Sequence, residues 1–207
     1  MLSFLLSVFI ISFSGVMLPG PMFAITVAKS YKSRFAGIGV TIGHAIIEIP
    51  LMLLIYFGFA RFFQEELVQT ILYLGGAAML FWLGIAMFKA KARVIERGQD
   101  LPYNSVIAGI MTTALNPACY LWWVIIGSML IMNSLEFGIV GFALLVPVHL
   151  LCDAVWLLFV SMLVYKTQTI WGRKFQEGLF IGCGLLLIGF GGWFMISGIY
   201  NYIQSVV

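Results

Sequence analysis

Six apolar stretches, joined by short links that hold nearly all of the charge, restrict what this 207-residue chain can fold into more than any motif does. They run from Ser3 to Ala28, Phe35 to Ala60, Leu67 to Phe88, Ser105 to Met132, Phe137 to Tyr165 and Gly178 to Tyr202. Roughly 20 helical residues cross the roughly 30 Å hydrocarbon layer of a bilayer. Inside lipid a helix also satisfies every backbone group within its own segment. Soluble domains carry roughly a quarter charged residues, whereas this chain is 9% charged and 62% hydrophobic. The expected fold is an all-α integral membrane protein with six transmembrane helices. No link is long enough to fold separately, so residues 1–207 are expected to form a single membrane domain. The first stretch has no Lys or Arg ahead of it and no small-x-small cleavage site, so it reads as a membrane helix and not as a signal peptide.

Charge sets the expected orientation. Ten of the eleven basic residues fall in the links after stretches one, three and five, and only Arg61 lies opposite. Positive loops stay in the cytoplasm, which predicts extracytoplasmic termini. The net charge of +3 therefore describes topology; no basic patch outside these links points to a nucleic-acid partner. Cys119, Cys152 and Cys183 lie in apolar stretches without a CxxC spacing and read as small packing residues.

Against this oily background, the chain's two histidines stand out. Each has an acid four residues later, His44 with Glu48 and His149 with Asp153. Residues four apart share a helix face, and both pairs sit near the middle of their stretches. Ionisable groups at that depth cost at least about 2.5–3.5 kcal/mol on insertion scales and face a bundle interior or a wet cavity. The duplication extends further. Stretch one is interrupted by Pro19-Gly20-Pro21 and stretch four by Asn116-Pro117, while stretches three and six share a glycine spacing, Gly76 to Gly84 and Gly184 to Gly192. Three helices per half require the second half to run opposite to the first, so the chain reads as two inverted-topology three-helix repeats, residues about 1–100 and 101–207. Helices one and four are expected to break near the midplane.

Proline removes a backbone donor and clashes with the preceding turn, so Pro19 and Pro21 open helix one and a fresh helix starts near Met22. Asn116 followed by Pro117 reads as an N-cap with proline in the first turn. Two such helix N-termini meeting at the midplane suit a carboxylate, and Glu48 and Asp153 suit an ammonium or a proton. The combination fits a zwitterion. Pro19, Gly20, Pro21, Asn116 and Pro117 are the candidate substrate-binding residues, and Glu48, Asp153, His44 and His149 the candidate proton-coupling residues.

The segment GVMLPGPMFAITVAKSYKSRFAGIGVTIGHAIIEIP, followed by TTALNPACYLWW and a midspan His/Asp pair, resembles the lysine exporter (LysE) translocator family of the LysE/RhtB superfamily. The resemblance covers essentially the whole chain. It implies a six-helix secondary transporter of the prokaryotic plasma membrane, exporting amino acids or related small solutes and driven by protons, with the two proline motifs at the family's signature positions. One departure is that Pro147-Val148 precedes His149 where Ile42-Gly43 precedes His44.

Other readings stay open at this level. Two histidines and two carboxylates, His44, Glu48, His149 and Asp153, also make a four-ligand set for a divalent transition metal, and the superfamily includes heavy-metal exporters. The same four could be a structural hydrogen-bond network. An intramembrane metalloprotease would need HExxH, and Ala45, Ile46 and Ile47 stand between His44 and Glu48 instead. No enzyme and no cofactor are expected. The GxxxG patterns Gly39/Gly43 and Gly178/Gly182 read as close helix packing within the monomer, with a homodimer interface as the alternative. The aromatic residues read as lipid-facing or interfacial, with Trp122 and Trp123 as candidates to line a solute route.

Overall fold

The computed structural model describes residues 1–17, 20–97 and 103–206, and these form helices joined by turns, with no strand among them. The helices are α1 (Leu2–Val16), α2 (Pro21–Ser30), α3 (Ala36–Tyr56), α4 (Glu66–Arg97), α5 (Ser105–Ala114), α6 (Pro117–Trp122), α7 (Ser128–Leu135), α8 (Gly138–Thr167) and α9 (Arg173–Val206). A 3₁₀ turn, Phe59–Gln64, precedes α4, and a π-turn, Trp123–Gly127, joins α6 to α7. Five spans are long and apolar enough to cross a membrane, and α1 with α2 makes a sixth, bent by 72° at its break. The outward surface is correspondingly oily. Ile10, Leu151, Val155 and Ile196 are each more than half exposed in mid-helix, which water would not tolerate in contiguous patches. This is a multi-pass membrane protein.

Both breaks form as the proline motifs require. Pro21 is the first residue of α2, and Gly20 caps it in an extended conformation. Pro19 lies outside the described residues. Asn116 caps α6, its side-chain oxygen accepting the Ala118 N–H, and Pro117 follows at the first helical position. Stretch four is thus two helices: α5 ends at Ala114, and Pro117–Leu135 alone is long enough to span.

Lipid tails give helices no hydrophobic reason to associate, so close backbone approach at small residues carries much of the packing. At Gly43, α3 meets α5 backbone to backbone: a Cβ there would lie 2.0 Å from Val106 O. Gly109 reciprocates, its Cβ falling 2.1 Å from Val40 O. Gly37 is pressed against Leu157 O of α8 in the same way, and Gly39 against Ser105. The Gly39/Gly43 pattern therefore packs within the monomer. The Gly178/Gly182 pattern does not, because nothing lies within 4 Å of a Cβ at either position; those glycines sit on an open face of α9, and the expectation of close packing fails there. The α4–α9 pairing instead runs through Gly84 and Gly184, each approaching the other's carbonyl.

Helix α2 is the most enclosed element, buried without interruption from Ala24 to Tyr31. Its last turn holds Lys29, which is 2% exposed and donates to the Tyr103 carbonyl at 2.5 Å. A cation there also complements the negative end of the helix dipole. Lys29 counts toward the charge bias of its link, yet it is an interior side chain.

Candidate functional site

The two histidine/acid pairs converge. His44 and Glu48 come from α3, His149 and Asp153 from α8, and all four are buried, at 5%, 2%, 6% and 4% exposure. Glu48 Oε1 is the hub. It lies 2.9 Å from His44 Nε2 and 3.2 Å from His149 Nε2, and accepts the Trp123 Nε1–H at 2.7 Å. Asp153 Oδ2 is 3.5 Å from His149 Nε2 and 3.9 Å from His44 Nε2, and makes no hydrogen bond; neither does Glu48 Oε2. A buried carboxylate oxygen without a donor is costly, and the quartet holds two of them.

The histidines are held from behind by hydroxyls. Thr113 Oγ1 lies 2.9 Å from His44 Nδ1, and Ser12 Oγ 2.8 Å from His149 Nδ1. Their proton bookkeeping differs. Thr113 Oγ1 also lies 2.8 Å from Gly109 O and 3.8 Å from Met22 Sδ; with its hydroxyl proton given to Gly109 O, the imidazole Nδ1–H is the donor to Thr113. The 2.9 Å contact between His44 Nε2 and Glu48 then needs a second proton, on the imidazole or on the carboxyl. His149 meets a hydroxyl whose described partner is that imidazole alone. Ser12 can donate to Nδ1 there, leaving one proton on Nε2 for Glu48. With those donors, the His44–Glu48 contact is the one that requires an additional proton.

The quartet lines a cavity of about 260 Å³ between α1, α2, α3, α6, α8 and α9. Gly20, Pro21 and Asn116 of the two breaks also line it, whereas Pro117 does not and is packed against Gly76. The two helix N-termini are unequal. In α6 the Ala118 N–H goes to Asn116 Oδ1 and the Cys119 N–H to Asn116 O, so that end is capped from within. Gly20 offers α2 no side-chain cap, which leaves α2 as the better anion-facing end.

Trp122 and Trp123 both line the cavity, but Trp123 does more than form wall. It starts the π-turn and is 1% exposed, and its indole occupies the space a side chain at Gly127 would need, a Cβ there falling 2.1 Å from its ring. The extra residue of a π-turn re-aims a side chain, and such turns recur at functional sites. Here the turn and Gly127 together aim the Nε1–H at Glu48, so that Oε1 is engaged and Oε2 left free. Trp123→Phe keeps the bulk and removes the donor. A hydrogen bond to a charged group contributes about 1.5–3 kcal/mol, so solute flux in proteoliposomes is expected to fall about tenfold or more while the melting temperature in detergent moves little. Unchanged flux would show that Glu48 needs no such anchor.

The four residues singled out in the sequence do converge, and Ser12, Thr113 and the Trp123 bond join them without having been read there. Pro50, two residues after Glu48, and Pro147, two before His149, lie inside α3 and α8. Each removes one helical backbone donor near its pair.

Residues 13–198 match the family model described as LysE type translocator. The chain is 24% identical over 186 residues to the protein named "Putative amino acid efflux protein YcgF" of Bacillus subtilis (strain 168), an alignment covering 87% of this chain and 89% of that one. No solved structure matches.

Proposed function

This chain belongs to the LysE type translocator family, and from that premise we propose that it is a proton-coupled secondary transporter exporting amino acids or related small zwitterionic solutes. The observation that carries the reading is the buried quartet on the cavity wall with two carboxylate oxygens lacking donors. The solute's ammonium sits at Glu48 and Asp153, and its carboxylate at the N-terminus of α2 between the two breaks. An acid that holds either an ammonium or a proton, and not both, exchanges one for the other. Protons entering down their gradient then displace solute outward, and the proton in the His44–Glu48 contact is the exchanging one. Efflux as the direction follows the relative's name.

The proposal extends to setting. The chain works in a prokaryotic plasma membrane with both termini extracytoplasmic, residues 1–207 forming one transport domain. The reciprocal hydroxyl–histidine pairs, Thr113 with His44 and Ser12 with His149, support two inverted repeats, because each joins the first helix of one half to the second helix of the other. The family is one of transporters, and the reading includes no catalytic step.

One observation favours a second cargo. The four donor atoms of His44, Glu48, His149 and Asp153 lie within 4.8 Å of one another. Their histidine–carboxylate separations of 2.9, 3.2, 3.5 and 3.9 Å bracket the roughly 3.3 Å edge of a tetrahedral zinc site with bonds of about 2.0–2.1 Å. A divalent metal as cargo is therefore the alternative, although one ion does not account for the apolar remainder of the cavity.

Two measurements separate these readings. Thermal-shift screening of amino acids and divalent metals on the purified protein should show stabilisation by amino acids; a metal-only shift that His44→Ala removes would replace the proposal with the second reading. Proteoliposomes loaded with a binding amino acid should then release it faster with acid outside, each pH unit supplying about 1.4 kcal/mol per proton, or about tenfold in concentration ratio. Equal release with and without the gradient would remove proton coupling.

A further inference from the structure

The cavity wall is divided by chemistry. Its acids and histidines are confined to the compact quartet, and no Lys or Arg lines it anywhere among the described residues. Ser12, Asn116 and Cys119 add its other polar side chains, and the rest of the lining is apolar or aromatic: Val16 of α1, Met22 and Phe23 of α2, Trp122 of α6, Leu157 of α8 and Phe190 of α9. Resting on the amino-acid reading above, we infer that the solute this site selects is an amino acid with an uncharged, apolar side chain of the leucine or methionine kind.

The α-ammonium is common to all amino acids and takes the free oxygens of Glu48 and Asp153. Those acids belong to one compact cluster and serve one cation. Lysine carries its second ammonium on a four-carbon stem, which places it beyond the cluster and against the apolar wall. An unpaired buried ion there is far costlier than an apolar group. An acidic side chain fares no better, since it finds no Lys or Arg on the wall, two carboxylates, and two histidines already beside those carboxylates. An apolar side chain loses nothing by entering, and the unbranched, polarisable Met22 can adapt to its shape. Volume points the same way. At about 260 Å³ the cavity falls just below the roughly 300–1,000 Å³ range of ligand pockets, which suits a single amino acid and not a peptide.

The test is counterflow with the full-length chain in liposomes, using labelled leucine, methionine, lysine and glutamate separately. Leucine or methionine should exchange at least about tenfold faster than lysine or glutamate, the discrimination a buried unpaired charge imposes. A second arm uses Phe190→Asp, on a helix that contributes none of the quartet. This variant should gain lysine exchange, a gain that loss of folding cannot produce. Lysine exchanging as fast as leucine in the native chain would overturn the inference and leave amino-acid transport standing. Phe190→Asp that keeps leucine exchange and gains none for lysine would overturn the assignment of this wall to the side chain. If no amino acid exchanges at all, the reading beneath the inference falls with it.

Discussion

Glu48→Gln is expected to abolish gradient-driven export, lowering it about a hundredfold or more, while solute exchange across the same membrane continues at a reduced rate. The asymmetry follows from what the carboxylate does. Exchange needs only a site that binds and releases solute on both sides, and the amide oxygen of Gln can still accept from Trp123 and His149, as Glu48 Oε1 does at 2.7 and 3.2 Å. Coupling needs a group that takes up a proton when the ammonium leaves, and an amide cannot. The variant also removes the carboxylate from the 2.9 Å contact with His44. Measured as release from proteoliposomes under an imposed pH gradient and as counterflow without one, the two activities should separate. Retained gradient-driven release would move the coupling role away from Glu48. Equal loss of both, together with a lower melting temperature, would reduce the quartet to a structural network.

Much of this site was legible in the sequence because a bilayer penalises polarity so heavily. A histidine and an acid one turn apart in the middle of an apolar stretch have few stable places to go, so His44, Glu48, His149 and Asp153 could be paired before any geometry was known. Pro21 and Pro117 were equally readable, since proline at a first helical position satisfies a local rule that needs no neighbours. What stayed hidden depended on how helices meet. Ser12 and Thr113 look like ordinary helical hydroxyls until the facing histidine is placed. Trp123 resembles any interfacial aromatic until the π-turn and Gly127 aim it inward. GxxxG was ambiguous for the same reason: the pattern describes a smooth face without saying what lies on it, and it is filled at Gly39/Gly43 and open at Gly178/Gly182.

That contrast sets up the second large effect. In an exposed helix interior, replacing glycine by alanine usually stabilises by about 0.5–1 kcal/mol. At Gly43 the sign is expected to reverse. The new Cβ would fall 2.0 Å from Val106 O, 2.7 Å from Ile110 N and 2.9 Å from Gly109 Cα, all backbone atoms that cannot rotate away. Helices α3 and α5 must then separate, at a cost of at least the roughly 1–3 kcal/mol typical of overpacking, and Gly43→Val should raise it further. The site is hurt by the same movement. His44 follows Gly43 directly on α3, and Thr113 lies one turn beyond Gly109 on α5, so the 2.9 Å contact that fixes the His44 ring opens as the helices part. Gly43→Ala should therefore lower the melting temperature in detergent and gradient-driven flux together. Gly182→Ala, with nothing within 4 Å of its Cβ, should leave both unchanged or raise the first. If Gly43→Ala were as well tolerated as Gly182→Ala, the α3–α5 crossing would not be the constraint that holds His44 against Glu48, and the rigidity of the quartet would have to come from α8 and Trp123 instead.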